Sequence, residues 1–88
     1  MFKVAGSTNQ QHLAGAIAAN VRNQQEVILE AMGPAAVNIA VKALAMARGL
    51  LHINKIDIAI IPSFDTIVDS SDSKKKTLMQ FRVITLKH

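Results

Sequence analysis

The stretch from Gly33 to Gly49 constrains the fold of this chain more than any other part of the sequence. Pro34 suits the first position of a helix, where its missing N–H group costs nothing, and Gly33 before it suits the N-cap. Gly49 is expected to end the helix in the left-handed conformation. Because nearly all side chains between these ends are apolar, the sequence predicts one helix that is covered on more than one side.

The circumference of this helix divides into an apolar majority and a narrow polar seam. At 3.6 residues per turn, the seam occupies an arc of about 60°. It consists of Asn38, Lys42, Ala45 and Gly49. A flank of small side chains would let another helix or a second subunit approach closely. This flank consists of Ala36, Ala40, Ala43 and Ala47.

The polar seam has two interpretations. In the first, it is simply a solvated face, which is the ordinary role of exposed polar positions. In the second, Asn38, Lys42 and Arg48 line a shared surface for an anionic partner.

The other segments predict the element order βαβαββ. Residues 1–5 alternate as a short strand, and residues 26–32 carry the apolar run of a buried strand. Residues 55–68 and 77–86 form a long terminal hairpin, in which Pro62 requires an edge position or a bulge because it cannot donate a hydrogen bond. We therefore expect a single α/β two-layer domain with two helices on one face of a four-stranded mixed sheet.

The first helix is predicted to begin at Thr8 or Asn9. Two pairs in this region, Ser7 with Gln10 and Thr8 with Gln11, have the spacing of a capping box. In that arrangement the hydroxyl and the amide satisfy N–H groups at the helix end reciprocally.

Composition narrows the classes of function. The 88 residues suit one domain, and the absence of Cys excludes disulfide frameworks, thiolate metal sites and cysteine nucleophiles. The N-terminus lacks a basic segment followed by a long apolar run, and no stretch reaches about 18 consecutive apolar residues. We expect a soluble cytoplasmic protein that makes no membrane contact, with association with the nucleoid left open.

The charge balance is moderately basic. The formal net charge is +4 and the sequence pI is near 9.9, which favours a polyanionic partner such as nucleic acid. The clearest cluster, Lys74, Lys75 and Lys76, follows the acidic Asp69 and Asp72 near the predicted hairpin tip. These lysines could neutralise backbone phosphates, or they could serve solubility and keep sheet edges apart.

No residue pattern predicts a reaction. His12, His52 and His88 lie on a helix, in a loop and at the C-terminus, without the spacing of a metal site or a catalytic triad. A solvated strand accounts for Glu26 and Glu30. We expect no enzymatic activity, no cofactor and no bound metal.

Three segments carry a recognisable pattern: GPAAVNIAVKALAMARG, QHLAGAIAANVR and IDIAIIPSF. They resemble the stage V sporulation protein S family of bacteria, a branch of the Alba-like group, and the resemblance extends over nearly the entire chain. It implies the βαβαββ fold of Alba, which is also similar to the C-terminal domain of translation initiation factor three, and assembly into dimers or larger oligomers. It also implies a non-enzymatic regulatory role in sporulation, with nucleic-acid binding inferred from the Alba relationship.

The resemblance assigns candidate roles to individual positions. The Asn and Lys of the family's central helix match Asn38 and Lys42, and the Arg that ends it matches Arg48. The long hairpin corresponds to the arm that Alba-like proteins extend along a duplex. Here that arm carries Lys74, Lys75 and Lys76.

One loop departs from the Alba pattern. Alba proteins that bind DNA well carry a basic pair between the first strand and the first helix, whereas this chain has Gly6, Ser7, Thr8 and Asn9, with Lys3 as the nearest cation. Such a loop offers a phosphate only hydroxyl, amide and backbone N–H donors, Ser7 among them.

These features predict a nucleic-acid-binding or nucleoid-associated regulator that contacts DNA or RNA without sequence preference. We expect a homodimer or higher homo-oligomer whose subunits meet through the helix of residues 34–48 and the last strands. The alternative, from a different class, is a protein-interaction module in sporulation or development that binds no nucleic acid.

Overall fold

The structure of the protein is a computed structural model that describes residues 1–68, 71 and 73–87. Its elements follow the predicted βαβαββ order. In chain order they are β1 (Phe2–Val4), α1 (Gln10–Arg22), β2 (Ile28–Ala31), α2 (Pro34–Leu51), a short 3-10 helix (His52–Asn54), β3 (Ile56–Val68) and β4 (Lys75–Lys87). The predicted turn residues Asp69, Ser70 and Asp72 lie outside the described residues, as does His88.

The four strands form one mixed sheet in the order β1-β2-β4-β3. β1 pairs parallel with β2, and β4 pairs antiparallel with both β2 and β3. β3 is therefore an edge strand, as Pro62 predicted. Both helices cover the same face of this sheet, so the predicted two-layer α/β fold is confirmed.

The alanine flank of α2 forms the centre of the helix layer. α1 packs against α2, and all four alanines of the flank are at most 2% exposed. They are Ala36, Ala40, Ala43 and Ala47. Because the alanine side chain is short, the two helices pack closely, and their buried residues share one core cluster with Leu29 of β2.

The start of α2 is as predicted, but its end is not. Pro34 occupies the first turn after Gly33, whose φ of 87° is a conformation that glycine adopts without strain. Gly49 does not stop the helix, which continues to Leu51, and the left-handed residue is Lys55 at φ 57°. The extension buries the side chain of Leu51 completely, and this burial stabilises the helix beyond the glycine.

α1 begins at Gln10 with Asn9 as its N-cap, and neither predicted capping box forms. The Asn9 side chain accepts a hydrogen bond from the His12 N–H at 2.9 Å. The hydroxyl of Thr8 instead accepts from the N–H of Ala5 at 2.8 Å, which closes the loop after β1. The predicted helix start is confirmed, and the capping residue is an amide rather than a hydroxyl.

Residues Pro34–Asn54 would be long and apolar enough to cross a membrane by length and composition alone. The core helix of a soluble protein passes the same test, and this segment passes although Asn38, Lys42 and Arg48 interrupt it. α2 places its alanines in the domain core and leaves these polar residues exposed. This arrangement is consistent with a soluble protein.

Enlarging an alanine in the helix layer is expected to destabilise the fold. Ala40→Leu places three extra carbon atoms where the side chain is fully buried, which should lower the free energy of unfolding by about 1–3 kcal/mol. Ala19→Leu, at an exposed position of α1, should change it by less than about 0.5 kcal/mol. Urea denaturation followed by circular dichroism measures both, and equal midpoints for the two variants would contradict close helix packing at Ala40.

Candidate nucleic-acid interface

The hairpin of β3 and β4 is much longer than the sheet that supports it. The two strands pair without interruption from Ile56 with Lys87 to Val68 with Lys75. β2 accompanies β4 only as far as the pair of Ala31 with Met79. Beyond this level residues 65–68 and 75–78 continue as a two-stranded ribbon, called the arm below, over about 14 Å of strand. The molecule is accordingly elongated, 47 Å against 22 and 18 Å.

The predicted lysine cluster lies on this arm, but its members point in different directions. Lys75 and Lys76 are consecutive residues of β4, and both are exposed. Since side chains alternate along a strand, Lys75 lies on the same side as buried Phe81, which faces the helices, and Lys76 lies on the open side. Lys74 directly precedes the strand and is also exposed. The arm therefore presents positive charge on both of its faces.

Several predicted site residues gather at the end of the sheet from which the arm projects. β2 finishes there and leads into α2 through two residues, so the exposed Asn38 on the second turn of α2 lies near this end. The loop with Ser7 lies there too, because a Cβ added at Gly6 would be 3.2 Å from Ala35 Cβ. Lys42 is exposed one turn further along α2.

Lys3 lies at the base of the arm. It stands opposite Glu30 in the parallel register of β1 and β2. Both residues line a shallow groove of about 270 Å³ whose other walls include Ile67 and Leu78 of the arm. The opposed charge of Glu30 weakens Lys3 as a phosphate ligand.

Arg48 is separated from the rest of the predicted set. It lies ten residues beyond Asn38, or about 15 Å along the helix axis. Its Nε donates to Asp57 Oδ1 at 2.6 Å and its Nη2 to Asp57 Oδ2 at 3.2 Å. The hydrogen bond and the charge of Asp57 raise the pKa of Arg48 above its usual value. The guanidinium is thus already held by a carboxylate, and the predicted grouping of Arg48 with Asn38 and Lys42 holds only in that all three are exposed on α2.

Residues 1–86 match the family model of stage V sporulation protein S (SpoVS). The chain belongs to the stage V sporulation protein S family. The match covers the central helix and nearly the whole arm-forming hairpin, so the resemblance seen in three segments is confirmed. Membership of the SpoVS family supports a sporulation-related role.

Two exposed residues beside this interface are not singled out by sequence reasoning. Phe64, at the base of the arm in this SpoVS-family chain, is 78% exposed although it continues an apolar strand pattern. It lies on the edge strand opposite Met79, at the level where β2 ends, and no local pattern reveals that the fold leaves this position uncovered. Arg82 is exposed on the open face of the sheet, and its alternation with Phe81 is the sequence signal that places it there.

Releasing Arg48 is expected to strengthen any contact with an anion. Asp57→Asn removes the charge that holds Arg48 while keeping an oxygen that can accept from the Ile58 N–H. We expect a higher affinity for a labelled duplex and a salt slope steeper by about 1 per released cation, measured by fluorescence anisotropy. Glu26→Gln is the matched control, since it removes one exposed negative charge from the same end of the domain without freeing Arg48. Equal gains in affinity for the two variants would show that only the net charge of the protein affects binding.

Proposed function

We propose that this member of the SpoVS family is a non-enzymatic, nucleic-acid-binding or nucleoid-associated regulator that contacts backbone phosphates as a dimer. The observation that carries the proposal is the basic arm with lysines on both faces. A two-stranded ribbon fits the major groove of a duplex, whose walls are two rows of phosphates. Lys75 and Lys76 on opposite faces could each reach one of these rows.

The composition of the arm supports contact without sequence readout. Its described strands, with the pair at their base, are FDTIV over residues 64–68 and KKTLM over residues 75–79. They contain no Arg, Asn or Gln, three of the side chains that read base edges through paired hydrogen bonds. Binding should therefore depend on phosphates and fall steeply with salt.

A second copy of the chain is expected to cover the exposed side of α2. Val41 is 43% exposed on this side, and Ile53 just after the helix is 87% exposed. Ile53 also borders an open groove of about 950 Å³ between α2 and the start of β3, with Ala45 and Gly49 on its helix side. A dimer through this surface would bury apolar area and carry two arms.

The placement of the histidines supports the non-enzymatic part of the proposal. His12 and His52 are both exposed and lie on different elements, so they do not form a shared acid–base pair. No residue is assigned to a cofactor.

One observation favours the alternative, a protein-interaction module in sporulation or development. The arm is apolar as well as basic, with Phe64 78% and Val68 63% exposed. Exposed apolar residues of this kind mark protein contacts more often than phosphate contacts. The lysines would then serve solubility.

Salt-dependent titration separates the two functions. Fluorescence anisotropy of labelled duplex DNA, single-stranded DNA and RNA is measured at several salt concentrations. If the six arm lysines of a dimer contact duplex phosphates, the log–log salt slope is about −5 and collapses when Lys74, Lys75 and Lys76 are changed to Ala.

The control is a variant with Lys55 changed to Ala, since this exposed cation lies at the opposite end of the domain from the arm. It should shift the slope by much less than the arm variant does. No binding to any of the three nucleic acids at low salt, by folded dimeric protein, would reject the nucleic-acid proposal. It would leave the interaction module.

The dimer contact is tested at two equivalent glycines. Gly15 of α1 and Gly49 of α2 are both exposed in helix interiors, and a Cβ added at either meets nothing within 4 Å. Leu at either position should be tolerated by the monomer, because it raises helix propensity by up to about 1 kcal/mol. We expect Gly49→Leu to shift sedimentation toward monomer and Gly15→Leu to leave it unchanged. A wild-type protein that sediments only as monomer at micromolar concentration would refute the dimer.

A further inference from the structure

The outer edge of β3 poses a physical problem. It runs along thirteen residues, from Ile56 to Val68, at the border of the sheet. The strand also exposes large apolar side chains, including those of Ile61, Phe64 and Val68. A long apolar edge of this kind is a template on which another strand can pair, which leads to open-ended aggregation.

The hydrogen-bond pattern shows which backbone groups face this edge. The N–H of Val83 donates to the carbonyl of Val27 at 3.0 Å, so Val83 bonds toward β2 and away from β3. Its partner Ile60 is therefore in a non-hydrogen-bonded pair, and the N–H of Ile60 points out of the sheet. Non-hydrogen-bonded pairs recur at every second residue of an antiparallel strand. The backbone N–H and C=O groups of the even-numbered residues of β3 therefore point toward the outer edge.

Three of these outward positions cannot offer a donor. The N–H of Ile58 donates to the side chain of Asp57, and the N–H of Thr66 donates to the side chain of Asp65, each at 2.9 Å. Pro62, midway between them, has no N–H group. Between Ile58 and Thr66, only the N–H groups of Ile60 and Phe64 can still donate to an added strand. Each of them lies between two outward positions that cannot donate.

The opposite edge of the sheet is protected in a different way. β1 is only three residues long. The N–H of Ala5, the next residue, is taken by the hydroxyl of Thr8 at 2.8 Å. A short strand whose end is capped by a side chain has few free backbone groups with which an added strand could pair.

We propose that Asp57, Pro62 and Asp65 close the edge of β3 to strand addition by a second copy of this chain. A strand laid along β3 would find a donor at only every second outward position, and its own unmatched carbonyl groups would lose their bonds to water without replacement. Copies are thereby restricted to association through side-chain surfaces. This inference does not depend on nucleic-acid binding.

The test opens the edge at two positions. In the double variant Pro62→Val with Asp65→Ala, four successive outward donors become available, at residues 60, 62, 64 and 66. The matched control is Ser63→Val with Asp65→Asn. It adds the same apolar residue and removes the same charge. However, its Val stands at a position whose backbone N–H bonds to β4, and the Asn keeps an acceptor for the Thr66 N–H. Sedimentation velocity and thioflavin T fluorescence are compared for both variants and the wild type.

We expect the edge-opened variant to form assemblies of several-fold larger mass that bind thioflavin T, while the control sediments as the wild type does. The proposal is overturned if the two variants behave alike, whether both assemble or neither does. Should the edge-opened variant fail to fold, amide hydrogen exchange of the wild type decides the question. Ile58 and Thr66 should then exchange several-fold more slowly than Ile60 and Phe64, and equal rates would overturn the proposal.

Discussion

The antiparallel pairing of β3 with β4 is the interaction on which the rest of the structure depends. β1 and β2 contribute only three and four residues to the sheet, too few to hold two helices by themselves. β4 supplies the central position between β2 and β3, and its Phe81 lies in the core under the helices. The same unbroken register carries the hairpin beyond the sheet and so creates the arm. Core, arm and free edge are thus three consequences of one strand pair.

The helix layer is adapted to the small size of this sheet. The largest fully buried side chains are Ile17, Val27, Leu29 and Leu51, and no Trp or Tyr is present to fill space. With so little bulk in the core, stability depends on close approach of the two helices, which the alanines of α2 permit. Close packing on one side of α2 leaves Val41, Ala45 and Gly49 exposed on the other, where the proposed dimer contact lies.

The arm shows how an exposed apolar segment can be kept available without aggregating. A ribbon that reaches a partner must leave apolar side chains uncovered, as that of Val68 is on the arm and that of Phe64 is at its base. Uncovered faces are tolerable in solution if the backbone edge beside them is closed, because backbone pairing is what makes aggregation open-ended. In this member of the SpoVS family, the carboxylates of Asp57 and Asp65 close backbone donors of that edge. Asp57 also accepts a hydrogen bond from Arg48. One carboxylate therefore bonds to the edge of β3 and neutralises a cation at the end of α2.

Local sequence patterns determined the element order and the helix starts, and they limited the segment of Pro62 to an edge or a bulge. Pro34 and Asn9 act within their own helix turns, and Pro62 lacks an N–H group whatever surrounds it, so these features are readable without tertiary contacts. The exposed seam of Asn38 and Lys42 was readable for the same reason, since helical periodicity alone separates it from the alanine flank. Family membership was also visible in the sequence, because the central helix carries its pattern in one continuous segment.

Tertiary structure decided the features that depend on residues distant in sequence. Gly49 permits a helix end, but burial of Leu51 against the core carries the helix past it. Arg48 was predicted to share a surface with Asn38 and Lys42, yet the fold brings Asp57 against it and withdraws it from the other cations. The lysines were predicted at the hairpin tip, whereas pairing with β3 extends β4 to Lys75 and so places Lys75 and Lys76 on opposite faces of a strand. In each case the deciding energy is a contact with another element, which periodicity and spacing within one segment do not contain.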